Sequence, residues 1–351
     1  MMGKRIVHGA DGTWDSAVTH SNVKRLCDAI APVPEQTVFY DDGIGADGNP
    51  VLGIVEGAFG LGIYGKVKKA YHDIAQVYQK DDELFLFGFS RGAFTARSLA
   101  GMIAVSGLPI GGDRSEDLVN AAFRAYRERD PARRKEKVAA LNLYDAKIKM
   151  VGVWETVGSL GIPSVLGGVD PALYGFLDTK LHPDVKNAYH AVAIDESRQE
   201  FPPTLWQEPG ALDQIVQQVW FCGVHSDVGG GERDVRDGAL SLADITLTWM
   251  MDKASELDLQ FKDDVRAQYE SPLDSKFALC ELHTSFGGIP IPRRIPDNAF
   301  LSNSVVIRFQ SDSSWRPRAL SVVEGELAQG YRIMNVIGWP VAAAATPGRP
   351  D

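Results

Sequence analysis

The feature that most constrains this chain is a short run in which an apolar strand leads through a glycine–serine turn into a helix. Residues 83–97 read Glu-Leu-Phe-Leu-Phe-Gly-Phe-Ser-Arg-Gly-Ala-Phe-Thr-Ala-Arg. The central pentapeptide has the Gly-x-Ser-x-Gly spacing of a nucleophile elbow, whose sharp turn lifts the serine hydroxyl above a sheet. Because the flanking strand and helix are the context that this motif requires, we predict that Ser90 is a nucleophile. The alternative is a plain strand–helix connection.

The remaining segments alternate between strand-like and helix-like patterns, which predicts an α/β fold with a mainly parallel sheet covered by helices on both faces. We interpret residues 1–351 as a single domain, in which residues 257–351 form a less regular appendage packed on the sheet. The glycine density of segment 48–65 predicts a loop there, and segment 304–309 is a candidate for one further strand. The other predicted strands cover residues 4–10, 36–40, 84–87, 147–154, 190–195 and 214–222.

The charge balance argues against a nucleic-acid partner. The chain has 46 acidic and 36 basic residues, which gives a net charge of −10. Its basic residues cluster only in segment 124–137, where the signs alternate as on a solvated helix face. The three cysteines, Cys27, Cys222 and Cys280, are widely spaced and match neither a disulfide framework nor a zinc motif, so a reducing compartment is expected.

No stretch has the pattern of a signal peptide or the length of a membrane span. We therefore expect a cytoplasmic protein, unless a dedicated secretion system exports it. The apolar residues of segment 51–63 indicate contact with an apolar substrate or peripheral contact with a membrane. The oligomeric state is left open by the sequence.

A serine nucleophile needs a base within hydrogen-bond reach, and a third group must hold that base in the right tautomer. His225 is the first candidate for the base, because it follows a predicted strand inside Gly-Val-His-Ser-Asp-Val-Gly-Gly-Gly. A packing or capping role is its alternative, and His190 is the reserve. For the acid, Glu155 directly follows the strand 147–154, which agrees with the chain order serine, acid, histidine. Asp195 and Asp227 are the alternative acids.

Loops at the carboxyl ends of the first strands should meet the substrate, because ligands gather at that edge of an α/β sheet. The oxyanion hole should use the backbone N–H of Arg91 together with a donor from the segment Gly12–Thr13. An ordinary turn is the alternative for this segment. No metal or other cofactor is required, although the aspartates at this edge could gather a divalent cation if they converge. The substrate loop is assigned to Asp11, Trp14 and Asp42, and the aspartates in question are Asp11, Asp15, Asp41, Asp42 and Asp227.

Five ordered motifs carry a resemblance to a known family: Asp11–Asp15, Gly88–Arg97, Gly152–Gly158, His190–Arg198 and Trp220–Gly231. With these motifs the chain resembles the DUF2235 family of α/β hydrolases, whose best understood members are similar to the Tle1 phospholipase effectors of type VI secretion. The resemblance extends over roughly residues 4–320 and is more specific than the elbow alone.

The resemblance implies an α/β-hydrolase-like fold and a catalytic triad at Ser90, position 155 and His225. It also implies esterase or phospholipase A activity on a small-molecule or lipid ester. Family members usually carry Asp at the position where this chain has Glu155. A catalytically silent α/β-hydrolase scaffold, acting as a ligand- or partner-binding module, is therefore kept as the second hypothesis.

Overall fold

The computed structural model describes residues 3–12, 20–43, 56–157, 181–207, 212–231, 240–285 and 290–340, with side chains of helix 56–77 described from residue 62. Its centre is a sheet of eight strands. Every pair of neighbouring strands in this sheet is parallel. The carboxyl ends of all eight strands consequently lie along one edge.

The strands of the sheet are β1 Arg5–Ala10, β2 Gln36–Asp41, β3 Glu83–Phe89, β4 Lys147–Trp154, β5 Asn187–Ala193, β6 Ile215–Phe221, β7 Phe300–Ser302 and β10 Arg332–Met334. Their order across the sheet is β10-β7-β6-β5-β4-β3-β1-β2. A separate antiparallel pair consists of β8 Val322–Val323 and β9 Glu326–Leu327. The helices are α1 Asn22–Ala29, α2 Glu56–Val77, α3 Arg91–Ser106, α4 Glu116–Tyr126, α5 Pro131–Leu141, α6 His225–Gly229, α7 Leu242–Ser255, α8 Asp263–Gln268 and α9 Asn303–Ser311, with a 3-10 helix at Ser275–Leu279.

Both faces of the sheet are buried, which explains the continuous apolar runs of its strands. Successive side chains of β3 point to opposite faces. Leu84 and Leu86 join the apolar cluster beneath α2, α3 and α4, whereas Phe85 and Phe87 join the cluster beneath α1 and α7. The prediction of a parallel α/β sheet with helices on both faces is confirmed.

Two predictions of local structure were wrong. Segment 304–309 is not a strand but the main part of α9. Ser302 caps the start of this helix, because its Oγ accepts a hydrogen bond from the Ser304 N–H. The glycine-rich segment 48–65 is helical from Glu56 onward, where it forms the first turns of α2, and its residues 48–55 lie outside the described part of the chain. Tertiary packing outweighs the glycine content, because later turns of α2 are anchored in the core through Val67, Ala70, Tyr71 and Ile74.

The C-terminal third contributes to the sheet as well as lying on it. β7 pairs with β6, and β10 pairs with β7, so both strands extend the central sheet. The 3-10 helix and α9 join the apolar cluster on the α7 side of the sheet. The C-terminal segment therefore continues the sheet beyond β6 and reaches its carboxyl edge there.

Candidate active site

The candidate residues follow adjacent strands of the sheet. Ser90 comes directly after β3, Glu155 after β4, and His225 shortly after β6. Since β3, β4, β5 and β6 are neighbours and parallel, these residues lie at one edge. This edge is where ligands bind in open α/β sheets.

Ser90 stands at a strained turn between β3 and α3. Its backbone has φ 56° and ψ −119°, a conformation that side-chain-bearing residues rarely adopt, and its N–H donates to the carbonyl of Trp154 at 3.0 Å. Its side chain makes no hydrogen bond to the start of α3, although serine at this position usually caps a helix. The Ser90 hydroxyl therefore does not cap α3.

Both glycines of the elbow are required by close backbone contacts. A Cβ on Gly88 would lie 2.4 Å from the carbonyl oxygen of Gly92, and one on Gly92 would lie 2.1 Å from that of Ala10. The first contact allows the chain to turn back on itself, and the second lets α3 begin against the end of β1. The spacing seen in the sequence thus reflects steric need on both sides of Ser90.

His225 and Glu155 are in direct contact. Nδ1 of His225 is 2.7 Å from Oε2 of Glu155, and both side chains are buried. A carboxylate can only accept a hydrogen bond, so this contact puts a proton on Nδ1 and leaves Nε2 able to accept one. The His225 backbone N–H donates to Oε2 of Glu196 at 3.2 Å, which fixes the start of α6.

Two aromatic rings hold the imidazole in place. The rings of Phe89 and Phe201 lie on His225 with centroid distances of 4.8 Å in each case. Phe89 precedes Ser90, so this contact joins the elbow to the His225 loop. Burial lowers the pKa of His225 against the opposing effect of Glu155, which favours the neutral imidazole that a general base requires.

Glu155 is held by more than the histidine. Its Oε1 accepts hydrogen bonds from the Ala193 N–H at 2.6 Å and from Nη1 of Arg293 at 2.7 Å. Nη2 of Arg293 donates to Oε2 at 2.8 Å. Burial by itself would raise the pKa of Glu155, but Arg293 and His225 together hold that pKa well below its usual range.

The alternative acids bind other groups. Asp195 accepts hydrogen bonds from the Gly223 N–H at 2.7 Å and from Nε1 of Trp315 at 3.0 Å. Asp227 accepts from the Val224 N–H at 2.9 Å and lies 2.5 Å from Nδ1 of His283. Of the three carboxylates weighed from the sequence, Glu155 is the one on the His225 ring.

The reserve base, His190, lies within the sheet. Its Nε2 accepts a hydrogen bond from the Thr156 N–H at 3.1 Å, and its ring packs edge-on against Trp206. Burial lowers the pKa of His190 to about 3, with Arg97 adding to the effect. These contacts are those of a neutral structural histidine.

The predicted oxyanion donors are only partly described. Arg91 is the first residue of α3, next to Ser90. The Gly12 N–H donates to Oδ1 of its neighbour Asp11 at 2.9 Å, and it would have to give up this hydrogen bond to serve an oxyanion. Thr13 and Trp14 lie outside the described residues.

The predicted substrate loop has one anchored and one exposed member. The buried Asp11 carboxylate accepts hydrogen bonds from Ser21 Oγ at 2.5 Å and Tyr40 OH at 2.6 Å, so it ties β1 to its neighbours. Asp42 is exposed, and its carbonyl accepts from Nζ of Lys66 at 2.7 Å. Asp11, Asp42 and Arg91 line one small cavity beside the elbow.

Within the described ranges, no group of three or more His, Cys, Asp or Glu side chains is arranged to hold a metal ion. Asp15, one member of the aspartate set considered for a cation, is outside those ranges. The same part of the chain has no helix that combines the length and the apolar character needed to cross a membrane.

Sequence reasoning did not identify Arg293, whose guanidinium completes the surroundings of Glu155. Arg293 stands beside Arg294 in Ile-Pro-Arg-Arg-Ile-Pro, and no pattern there marks one arginine over the other. The structure separates them, because Arg293 is buried and Arg294 is exposed. Glu196, which accepts a hydrogen bond from the His225 N–H, lies within the motif His190–Arg198, and no sequence pattern assigned it this role.

A parallel sheet with helices on both faces, an elbow between β3 and α3 and a histidine–carboxylate pair at the carboxyl edge give the chain an α/β-hydrolase-like fold. The chain belongs to the family described as the type VI secretion phospholipase effector Tle1-like catalytic domain, whose model matches residues 4–253. The resemblance inferred from the five motifs is thereby confirmed.

Individual relatives are distant. The uncharacterized protein YEL023C of Saccharomyces cerevisiae is 25% identical over 228 residues, which is 57% of this chain and 32% of that protein, so the match spans about a third of the relative.

Among solved structures, the Tle1 effector bound to the VgrG spike of the type 6 secretion system has a TM-score of 0.47 at 16% identity, and the match covers 79% of this chain and 78% of the effector. An uncharacterized protein from Pseudomonas aeruginosa has a TM-score of 0.43 at 17% identity, covering 76% and 48%. The carboxylesterase Cest-2923 of Lactobacillus plantarum has a TM-score of 0.38 at 12% identity, covering 73% and 86%.

Proposed function

We propose that the protein is a serine hydrolase that cleaves carboxylic esters of lipids or phospholipids through an acyl-enzyme on Ser90. The observation that carries the proposal is the 2.7 Å contact between His225 Nδ1 and Glu155 Oε2, with the His225 ring packed against Phe89 of the Ser90 elbow. The family match supplies the substrate class, because its members are described as phospholipase effectors. The proposal concerns the reaction and its substrate, and it includes no protein partner.

In the proposed reaction, Oγ of Ser90 attacks the ester carbonyl while Nε2 of His225 takes the hydroxyl proton. The tetrahedral oxyanion is stabilised by backbone N–H groups, with that of Arg91 as the first donor. The imidazolium then gives its proton to the leaving alcohol, and an acyl group remains on Ser90. A water molecule, deprotonated by His225, releases the fatty acid and restores the serine.

Glu155 holds the imidazole in the Nδ1–H tautomer and compensates the charge of the imidazolium. The proposed reaction requires no metal ion or other cofactor, since serine, imidazole and carboxylate supply the nucleophile, the base and the orienting group. We also propose that residues 257–351 act as part of the same domain. The positions of β7 and β10 in the sheet and the contact of Arg293 with Glu155 support this.

The test is covalent labelling of the full chain with a fluorophosphonate probe, together with hydrolysis of a short-chain nitrophenyl ester and of phosphatidylcholine vesicles. We expect labelling and fatty-acid release by the parent protein, and loss of both in Ser90→Ala. Ser98→Ala is the matched control, because Ser98 is a buried serine further along α3. It should retain both activities.

A folded parent protein that neither reacts with the probe nor releases fatty acid would contradict the hydrolase proposal. The second hypothesis, a silent scaffold that binds a ligand or partner, is motivated by the occupied N–H of Gly12 and by Glu155. It predicts that Ser90→Ala leaves the biological effect of the protein unchanged.

A further inference from the structure

The surroundings of Glu155 contain a group that the proposed mechanism does not use. Arg293 comes from the segment between the 3-10 helix and β7, about 70 residues after the histidine, and its side chain is only 3% exposed. It lies beyond the residues 4–253 that the family model matches. A cation is rarely buried without a specific partner, so its position needs an explanation.

The guanidinium makes a two-pronged contact with the carboxylate. Nη1 donates to Oε1 of Glu155 at 2.7 Å and Nη2 donates to Oε2 at 2.8 Å. The same two nitrogens donate to the backbone carbonyls of Ala193 and Phe201, each at 2.8 Å. The arginine is therefore fixed both to the end of β5 and to the loop that follows it, so it can hold the carboxylate rigidly, as a clamp.

The clamp decides which way the carboxylate faces. A glutamate side chain has one more rotatable bond than an aspartate, so its carboxylate needs more restraint to hold one orientation. The Ala193 N–H and Arg293 Nη1 take up Oε1, and Arg293 Nη2 shares Oε2 with His225 Nδ1. With these contacts in place, the carboxylate is held with one oxygen toward the imidazole.

Arg293 also contributes a charge close to the base. As a fixed cation it favours ionised Glu155, and it disfavours protonation of His225. Orientation and charge can be separated by experiment, because lysine keeps the charge without the planar fork, whereas glutamine lacks the charge.

We propose that Arg293 is a positioning residue of the active site, which clamps Glu155 so that its Oε2 faces Nδ1 of His225. This inference rests on the proposed hydrolase function. It makes the segment between the 3-10 helix and β7 part of the active site, and it supplies the restraint that the longer side chain of Glu155 needs.

The test compares Arg293→Lys and Arg293→Gln with the parent protein, using the pH profile of nitrophenyl ester hydrolysis. We expect Arg293→Lys to lower kcat about tenfold and Arg293→Gln about a hundredfold, the range known for partners that orient metal-binding imidazoles and carboxylates. KM should change little, because the clamp acts on the transition state and not on substrate binding. Arg293→Gln should also shift the acidic limb of kcat/KM to higher pH, because the cation that disfavours His225 protonation is lost. Arg293→Lys should keep the limb near its original position.

Arg25→Gln is the matched control, because Arg25 forms another largely buried ion pair, with Asp244, at the contact of α1 and α7. It should lower the melting temperature without shifting the pH profile. If Arg293→Gln does not fold, the kcat of Arg293→Lys tests the inference: a lowered kcat supports the clamp, and the parent value contradicts it. Parent-like kcat and pH limbs in folded Arg293 variants would overturn the inference while leaving the hydrolase function intact.

A second measurement distinguishes the inference from the function on which it rests. The ¹⁵N-edited imidazole spectrum, with His225 assigned through His225→Gln, reports the Nδ1–H signal and its titration without any turnover. If the parent protein proves inactive, a changed Nδ1–H signal and a higher His225 titration midpoint in Arg293→Gln would still support the clamp. An unchanged signal and midpoint would overturn it.

Discussion

Glu155 and Asp195 are carboxylates at the same edge of the sheet, the first buried and the second partly buried, and their surroundings shift their pKa values in opposite directions. Glu155 accepts hydrogen bonds from a guanidinium, an imidazole and a backbone N–H, and its pKa is held well below the usual range. Asp195 accepts from a backbone N–H and an indole, both neutral, and burial raises its pKa. The Arg293 guanidinium, the one charged donor among these groups, makes Glu155 the carboxylate that stays ionised beside His225.

The same surroundings predict the pH dependence of the proposed reaction. A free histidine has a pKa of about 6.5, and in this protein burial lowers the pKa of His225. Since Nε2 must be unprotonated to accept the serine proton, the acidic limb of kcat/KM should have its midpoint below that value. The measurement is the rate of fluorophosphonate labelling between pH 4 and pH 9. A midpoint above the value of free histidine would contradict the prediction.

At the scale of elements, the strand–turn–helix unit of β3 and α3 depends on Gly92, because α3 starts in contact with the end of β1. A Cβ at Gly92 would meet the backbone oxygens of both Ala10 and Asp11, and neither can move without disturbing the sheet. The elbow is thus locked from two sides, by the Ser90 N–H bond to β4 and by the contact with β1.

Gly92→Ala should therefore displace α3 from the sheet. We expect a loss of roughly 1–3 kcal/mol in the free energy of unfolding, the range found for overpacked sites, and loss of probe labelling. Gly65→Ala is the matched control, since Gly65 lies in α2 with no atom within 4 Å of an added Cβ. It should leave labelling unchanged and add about 0.5–1 kcal/mol of stability. Denaturant unfolding and labelling of both variants would decide, and normal labelling of Gly92→Ala would disprove the locked elbow.

At the scale of the whole molecule, the sheet encloses histidines that are neutral in the folded state. Burial lowers the pKa of His8 on β1 to about 4 and that of His190 on β5 to about 3. When the chain unfolds, both rings regain a pKa of about 6.5 and bind protons that the folded protein does not hold. Their burial therefore makes the protein lose stability progressively as the pH falls from about 6.5 toward 4.

The melting temperature should accordingly fall between pH 7 and pH 4, and the fall should be shallower in His8→Leu, which removes one of the two groups. Ile6→Val serves as the control, because it trims another buried side chain of β1 without removing a titratable group, so the slope should stay that of the parent protein. Thermal melts across this pH range test the prediction. An identical slope in His8→Leu and the parent protein would show that His8 does not contribute.

Local patterns in the sequence determined the parallel sheet, the elbow and the histidine after β6, because strand periodicity, turn glycines and chain order are properties of neighbouring residues. Strand limits such as 147–154 needed no correction. Only the tertiary structure decided which carboxylate contacts His225, that α2 is helical from Glu56, and that Arg293 is buried against Glu155. Each of these depends on contacts between residues far apart in the chain, where burial and the surrounding charges outweigh local preference.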